Sequence, residues 1–477
     1  MSRYFNILSN TILMCTSTFF IFALIYTIIR SEFYPSETMT KFYIIFTISI
    51  ILCVFSMRLN LYYKTGFILL MLSTFFTVYL TEVYLSCCTN INSMNLPVQA
   101  ASATGRPFDS RTRYQAYLDF VEEGNDIYPS LSAAQFLGEN GPERDANKLL
   151  PLAGISKKTT LFCNESGEYI TYQSDEHGFN NPTGLYRAGH IDIALIGDSF
   201  THGACVAPGE DIASRLRSTG KTIINLGYNG NGPLIKLATI KEYAELLRPK
   251  IVLWIYYEGN DLIDLSMEQQ SPDLLSYLNR DHSQNLYKRQ SEVDIFLIYY
   301  LNEKIEKFNK KSKEDIQFAN HSQLSKTIRL YHLRTILRRV FSSPPPIPLP
   351  SPLFANILKE AKERTSAWGG TLHFVYLPAW QRYGTKANHG KLFHRDQVLS
   401  IVSHLEIPII DVHDAFAQHP EPLSLFPFKL PGHYVAKGYE MVAAVIQTYL
   451  EGNRVAEGIR QPQPNRMRTV FTESNQD

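Results

Sequence analysis

Residues 191–203 read Ile-Asp-Ile-Ala-Leu-Ile-Gly-Asp-Ser-Phe-Thr-His-Gly. Ile191, Ile193, Ala194, Leu195 and Ile196 form a short apolar run rich in β-branched residues, closed by Gly197, and so read as a buried strand. Asp198, Ser199 and Phe200 come next, at the turn. A serine at a strand-to-helix turn presents its hydroxyl at the carboxyl end of a sheet, where α/β proteins place their sites. A lone Gly-Asp-Ser recurs by chance in glycine-rich loops, so its meaning depends on the rest of the chain.

Downstream of this stretch the chain alternates strand and helix. After the strand at 191–196 come a helix at 210–217, a strand at 222–225 and a helix at 233–247. A third strand spans 251–257, later strands fall at 371–377 and 407–411, and a helix at 436–450 closes the series. The pattern predicts an α/β fold, a doubly wound parallel sheet flanked by helices. A stretch at about 265–352 interrupts it without strand alternation and ends in a proline-rich linker. Within it, Leu330, Leu333, Leu337 and Phe341 form one helical stripe among Arg329, Arg334, Arg338 and Arg339. Such a helix suits either an anionic membrane surface or a lid packed on the sheet domain. Either way the insertion, which leaves the chain after residue 264, is expected beside the crevice.

The amino-terminal part has a different character. Three apolar runs, at about 7–29, 42–57 and 65–88, are split by short charged loops. They predict a three-helix transmembrane bundle. The length of the first run and the missing small-residue cleavage site argue against a removed signal peptide. Arg3, Arg58 and Lys64 favour an inside amino terminus, which puts everything after Cys88 outside. The expected layout is thus a transmembrane region at 1–88 and a linker and accessory or cap region at 89–190. A catalytic domain at 191–455, carrying the insertion, and a flexible tail at 456–477 complete it. In the accessory region, runs at 159–163 and 168–172 flank Asn164-Glu165-Ser166-Gly167, a hairpin candidate and also a glycosylation sequon.

Three further blocks stand at strand ends. Asn225-Leu226-Gly227-Tyr228-Asn229-Gly230-Asn231-Gly232-Pro233 follows the second strand. Its glycines permit positive φ and bare backbone N–H groups. Glu258-Gly259-Asn260-Asp261 follows the third strand, and Pro431-Gly432-His433-Tyr434 precedes the closing helix. These supply what acyl transfer needs: Ser199 as nucleophile and His433 as its base. The N–H of Ser199, that of a strand-two glycine and the Asn260 amide would hold the oxyanion.

In these blocks the chain resembles the SGNH (GDSL) hydrolases, whose four blocks match in order from 191 to about 450. The resemblance implies an SGNH-hydrolase-like, flavodoxin-like sheet, with Gly230, rather than Gly227, as the oxyanion glycine. Asp175-Glu176-His177-Gly178-Phe179-Asn180 also looks like bacterial members, which are often membrane-tethered and associated with cell-surface polysaccharide. The family usually has an aspartate three residues before the histidine, where this chain has Leu430. A backbone carbonyl or another carboxylate must then orient His433, with Asp411 and Asp414 as the candidate acids, or the site works as a Ser–His dyad.

Over 477 residues the net charge is +1, which gives no reason to expect nucleic acid as partner. Six cysteines form no CxxC and no zinc spacing, and no HExxH occurs, so neither a metal nor an organic cofactor is implied. Cys163 and Cys205 can pair outside the cytoplasm. The reading is a multi-pass protein of the bacterial inner membrane with its catalytic domain periplasmic or extracellular. It would be a serine esterase removing short acyl groups, acetyl foremost, from a cell-surface glycan. The lipid bilayer and an acylated glycan or other small ester are the expected partners. Two alternatives use the same chain: an O-acyltransferase fed by a membrane acyltransferase partner, and a non-catalytic glycan-binding or scaffold protein.

Overall fold

The structure, a computed structural model, describes residues 2–29, 36–88, 96–137, 149–319, 327–328, 330–341, 346–384 and 393–460. It divides into two compact units. One comprises Met1–Asn92 and Glu314–Ser343, the other Ser93–Lys313 and Pro344–Asp477.

The first unit is built on α1 (Ser2–Ile29), α2 (Ser36–Ser56) and α3 (Leu61–Cys88). Three spans were expected. By length and apolarity two stretches qualify, Arg3–Ile29 and Leu61–Ser86, while the apolar part of α2, Phe42–Ser56, is shorter. Large apolar side chains such as Phe19, Phe22, Leu69 and Phe76 point outward. Hydroxyls along the helices, such as Thr11, Thr16 and Thr74, donate to carbonyls one turn back, so they ask nothing of their surroundings.

Two ionisable side chains on α3 are buried within this unit. Lys64 donates to Asn6 Oδ1 at 2.8 Å and Asn10 Oδ1 at 2.7 Å on α1. Glu82 accepts from the backbone N–H groups of His332 and Leu333, at 2.9 and 2.8 Å, and pairs with His332 Nδ1. It thereby satisfies the start of the helix Tyr331–Phe341, the arginine-rich segment of the insertion. That helix therefore belongs to the apolar-helix unit, not to the sheet unit as a lid would. Arg329 and the side chains of Arg338, Arg339 and Phe341 lie outside the described residues.

The second unit holds two sheets. The smaller joins β1 (Ile127–Pro129), β2 (Thr159–Leu161) and β3 (Thr171–Gln173), with β2 and β3 antiparallel as the hairpin requires. The larger is wholly parallel: β4 (Ile193–Ile196), β5 (Ile223–Asn225), β6 (Ile251–Tyr257), β7 (Thr371–Leu377) and β8 (Ile409–Asp411). Its order, β5-β4-β6-β7-β8, reverses direction between β4 and β6, the flavodoxin-like arrangement. Both faces are covered, which explains the continuous apolar runs. Ile193 and Leu195 of β4 join one buried layer with Ile212, Leu216, Val442 and Ile446, while Ala194 and Ile196 join the other with Leu234, Leu237, Ile357 and Leu358.

Two parts of the expected layout change. The accessory region is no separate cap: Leu131, Phe136, Leu150, Leu152 and Phe179 lie in the same core as the sheet. The first half of the insertion is core as well. Leu274, Tyr277, Leu286, Val293, Leu297 and Leu301 are buried there, and each such side chain contributes about 1.5–3 kcal/mol by leaving water. The closing helix runs Ala436–Arg460, past the expected start of the tail, and 461–477 lie outside the described residues.

Candidate active site

The switch point of the larger sheet sets the site. β4 is followed by Gly197, where a Cβ would collide with Thr201 Oγ1, so the turn closes only on glycine. Asp198 caps the short helix Ser199–His202 through its Oδ1, which accepts from the Phe200 N–H at 3.0 Å. That cap fixes Ser199 at the first helical position. From the end of β6, Asn260 Nδ2 donates to Asp198 Oδ2 at 3.1 Å. An amide NH2 has a second hydrogen, and among the described contacts it is left for a ligand.

The glycine block lies against the same turn. Leu226 N–H donates to Leu195 C=O at 2.8 Å and Tyr228 N–H to Gly197 C=O at 3.1 Å. Gly230 has φ +76°, and a Cβ there would strike Ser132 Oγ. Gly227 packs its Cα face on Thr201. His202, fully buried, ties the two segments together. Its Nδ1 accepts from the Asn229 N–H at 3.3 Å, which leaves Nε2–H to donate to Tyr172 OH at 2.7 Å. Burial, then the charge of His433, pushes the His202 ring down to about 3, so it stays neutral and structural. The stretch 175–181 buttresses this from outside: Asn180 Nδ2 donates to His202 C=O, and Asn181 Nδ2 to Asn225 C=O and Asp175 Oδ2.

His433 closes the site. Its Nε2 lies 2.7 Å from Ser199 Oγ, and the Phe200 ring packs on it at 4.7 Å between centroids. The acid on the other side comes from neither predicted position. Asp411 pairs with Arg395 and accepts from the His413 N–H, and among the described contacts neither Asp411 nor Asp414 reaches His433. Asp411 ends β8, the edge strand on the opposite side of the sheet from β5, and Asp414 lies in the helix His413–Ala417. The partner is Glu165, in the turn of the β2–β3 hairpin. Glu165 Oε1 lies 2.8 Å from His433 Nδ1, and Oε2 accepts from the His433 backbone N–H at 2.7 Å.

The hairpin turn is shaped for this. Asn164 Oδ1 accepts from the Gly167 N–H at 2.9 Å, and Asn164 Nδ2, the sequon nitrogen, donates to Asp109 C=O at 2.9 Å. Gly167 has φ +113° and touches Pro107, so no side chain fits. Gly432 leaves room for the carboxylate, since a Cβ there would come within 2.7 Å of Glu165 Oε2. Burial favours neutral Glu165, but the hydrogen bond and charge of His433 outweigh it and hold the carboxyl below its usual range. Burial likewise pulls the His433 ring down; the bond to Glu165 and the charges of Glu165 and Asp198 outweigh that and raise it. Both side chains keep about a quarter of their surface open, 23 % for His433 and 29 % for Glu165.

Sequence reasoning missed Glu165 because 268 residues separate it from His433. Its one signal was a carboxylate at the tip of a hairpin, which turns carry for many reasons. Among the described residues, one trio has metal-ligand spacing, Glu165, Cys205 and His433. Its sulfur is already bonded, in the Cys163–Cys205 disulfide, and its other two members bond each other.

The sheet order is flavodoxin-like, and the four blocks in which the chain resembles the SGNH hydrolases stand at its strand ends. No family model matches it, and no curated protein does. Solved structures similar to it include a lipase/acylhydrolase from Enterococcus faecalis, at 13% identity and TM-score 0.27, covering 55% of this chain and 97% of that one. An acetyl xylan esterase matches at 12% identity and TM-score 0.28, covering 55% of this chain and 100% of its own. A two-domain esterase active on acetylated mannans matches at 13% identity and TM-score 0.29, covering 60% of this chain and 55% of its own. At these scores the matches add nothing to what the site itself carries.

Proposed function

We propose that the chain is a membrane-anchored serine esterase working through Ser199, His433 and Glu165. The observation that carries this is the unbroken relay of Oγ, Nε2, Nδ1 and carboxylate at 2.7 and 2.8 Å. Ser199 Oγ attacks the ester carbonyl while its proton passes to His433 Nε2. The N–H groups of Ser199 and Gly230 and the free Asn260 amide hydrogen hold the oxyanion, each donor worth about 3 kcal/mol to the transition state. His433 then protonates the leaving alkoxide, and acyl-Ser199 remains. Water, deprotonated by the same ring, releases the acid. Glu165 holds the ring in the Nδ1–H tautomer and stabilises the imidazolium without taking the proton.

For the substrate we propose short acyl esters, acetyl foremost, on an exported polysaccharide, following the resemblance to bacterial members. For the location we propose the inner membrane, with the site on the outer side. The placement of Lys64 and Glu82 supports the anchor. Eighteen residues of α3 separate them, about 27 Å of helix at about 1.5 Å per residue, close to one hydrocarbon thickness. Each polar end is met by partners from its own unit, and the stretch between is apolar.

The test is the full chain in detergent, with a small chromogenic acetyl ester and an O-acetylated polysaccharide. Ser199→Ala should lose turnover of both and the covalent acetyl adduct seen on the wild type. Turnover unaffected by Ser199→Ala would end the proposal. A sugar acceptor that captures the acetyl group in place of water would make the same intermediate that of a transferase.

A further inference from the structure

The carboxylate of Glu165 has a peculiarity. Among the described residues both of its oxygens bond only to His433. Among the described residues no other side chain or backbone group bonds the carboxylate, so its position follows where the hairpin turn sits. The ladder bonds from Phe162 N–H to Ile170 C=O and from Ile170 N–H to Cys163 C=O close the hairpin itself, and two connections tie its turn to other segments. One is the pair of contacts with Asp109, through Asn164 Nδ2 and through the Asp109 N–H to Gly167 C=O at 2.8 Å. The other is covalent: Cys163, two residues before Glu165, is bonded to Cys205.

Cys205 is not on a remote surface. It comes directly after the nucleophile turn, where the N–H of Gly203 and that of Ala204 both return to Ser199 C=O. Cys205 is buried with Ala204, Phe162 and Tyr172, and Phe162 packs its ring on His202 at 4.1 Å. The Cys205 sulfur, a Glu165 oxygen and a His433 nitrogen all lie within 4.8 Å of one another. The disulfide thus joins the segment that carries the acid to the segment that carries the nucleophile, beside the histidine between them.

We propose that the Cys163–Cys205 disulfide is the positioning element that seats Glu165 on His433, so that full esterase activity requires this bond to be closed. The inference rests on the Ser199–His433–Glu165 reading. Closing the bond takes two electrons and two protons from the two thiols and passes them to a disulfide oxidant, which leaves as a dithiol. Opening it with a dithiol reverses the exchange. Opening the bond releases the turn from the segment after the nucleophile, and a catalytic group displaced by about 1 Å loses up to about 100-fold in rate. The chain then works at a small fraction of its full rate wherever thiols are kept reduced and gains full activity on reaching an oxidising compartment.

The experiment uses the full chain with a small acetyl ester. Dithiothreitol opens the bond under native conditions, and peptide mapping after alkylation reports the fraction open at Cys163 and Cys205. A Cys163→Ser, Cys205→Ser double variant provides the permanent open form. The expected result is a loss of about 10- to 100-fold in kcat with KM changed little. The acid limb of the pH profile should move to lower pH, as in Glu165→Gln, and activity should return on reoxidation. In a Glu165→Gln background, opening the bond should cost less than about threefold, because the group it positions is already lost. Full kcat in the mapped open form overturns the inference, and so does an equal loss in both backgrounds. If the double variant does not fold, the dithiothreitol series on native protein decides alone. An oxidised wild type without Ser199-dependent turnover would instead refute the esterase reading.

Discussion

Glu165→Gln probes the relay with the smallest change in shape. Glu165 faces two donors, the His433 backbone N–H at 2.7 Å and Nδ1 at 2.8 Å. The backbone donor cannot turn. A glutamine must offer it the carbonyl oxygen, which places the NH2 against Nδ1. Two donors cannot share that contact, so the ring must shed the Nδ1 proton and carry one on Nε2 instead. That tautomer donates to Ser199 Oγ and cannot accept its proton. Turning the amide round restores Nδ1–H but leaves the backbone N–H against an NH2, at about 1–3 kcal/mol. The imidazolium also loses a charge-assisted bond of about 1.5–3 kcal/mol. With 29 % of the Glu165 side chain open to solvent, screening keeps the total near about 3–4 kcal/mol.

At about 1.4 kcal/mol per decade this predicts a fall in kcat of about 10²- to 10³-fold. The pH profile carries a second signature. His433 must be neutral to act as base, so the rate rises with pH through its pKa, which Glu165 and Asp198 hold above the usual 6.5. Removing the Glu165 charge lets burial pull that pKa down, and the acid limb moves to lower pH. Steady-state rates on a small acetyl ester from about pH 5 to 9 measure both. A loss under about tenfold with the limb unmoved would show that Glu165 is a bystander and leave a Ser–His dyad.

Asp411→Asn weakens a partly buried pair with Arg395 and should cost about 1–3 kcal/mol in thermal stability, with kcat unchanged; a large fall in kcat would return Asp411 to the relay. Gly230→Ala forces a side chain into φ +76° and against Ser132, and should lower kcat by about 10²-fold with a modest loss of stability, whereas full activity would remove Gly230 from the oxyanion site. Glu268 lies fully buried behind Gly232, and burial pushes its carboxyl up to about 8. Its folded form holds the proton more tightly than the unfolded form, so its stabilising share is complete below about pH 4 and is lost as pH rises through 8. Glu268→Gln should flatten the decline in Tm between about pH 5 and 9, and an unchanged decline would place its cause elsewhere.

Much of the site is legible because its parts sit at strand ends. Ser199, Gly230 and Asn260 each come after an apolar run whose period and length mark a strand, and parallel strands bring their carboxyl ends together without further information. Glu165 offers no such handle. It sits on the small sheet, and only the packing of that sheet beside the nucleophile turn, through Phe162, Tyr172 and the disulfide, brings it to His433. The insertion misleads for a related reason. Missing strand alternation suggests a peripheral element, yet Val293, Leu297, Tyr300 and Leu301 repeat at three- and four-residue steps, the mark of a helix with one buried face. Periodicity reports that a face is covered and is silent on what covers it.

The location of the acid also decides what counts as the catalytic domain. Pattern alone cuts it at 191, where the parallel sheet begins. That cut removes Glu165, and with it Asp175, Asn180 and Asn181, which hold the nucleophile turn and the end of β5. It also strips Leu131, Phe136, Leu150, Leu152 and Phe179 from the core, each a buried side chain worth about 1.5–3 kcal/mol, against a total domain stability of about 5–15 kcal/mol. A chain beginning at 191 should therefore be insoluble or unfolded. One beginning at Ser93, with 314–343 replaced by a flexible bridge, retains the whole second unit and should keep Ser199-dependent turnover of a small ester without detergent. Turnover by the shorter chain at the rate of the longer one would contradict both the assignment of Glu165 and the extent of the core.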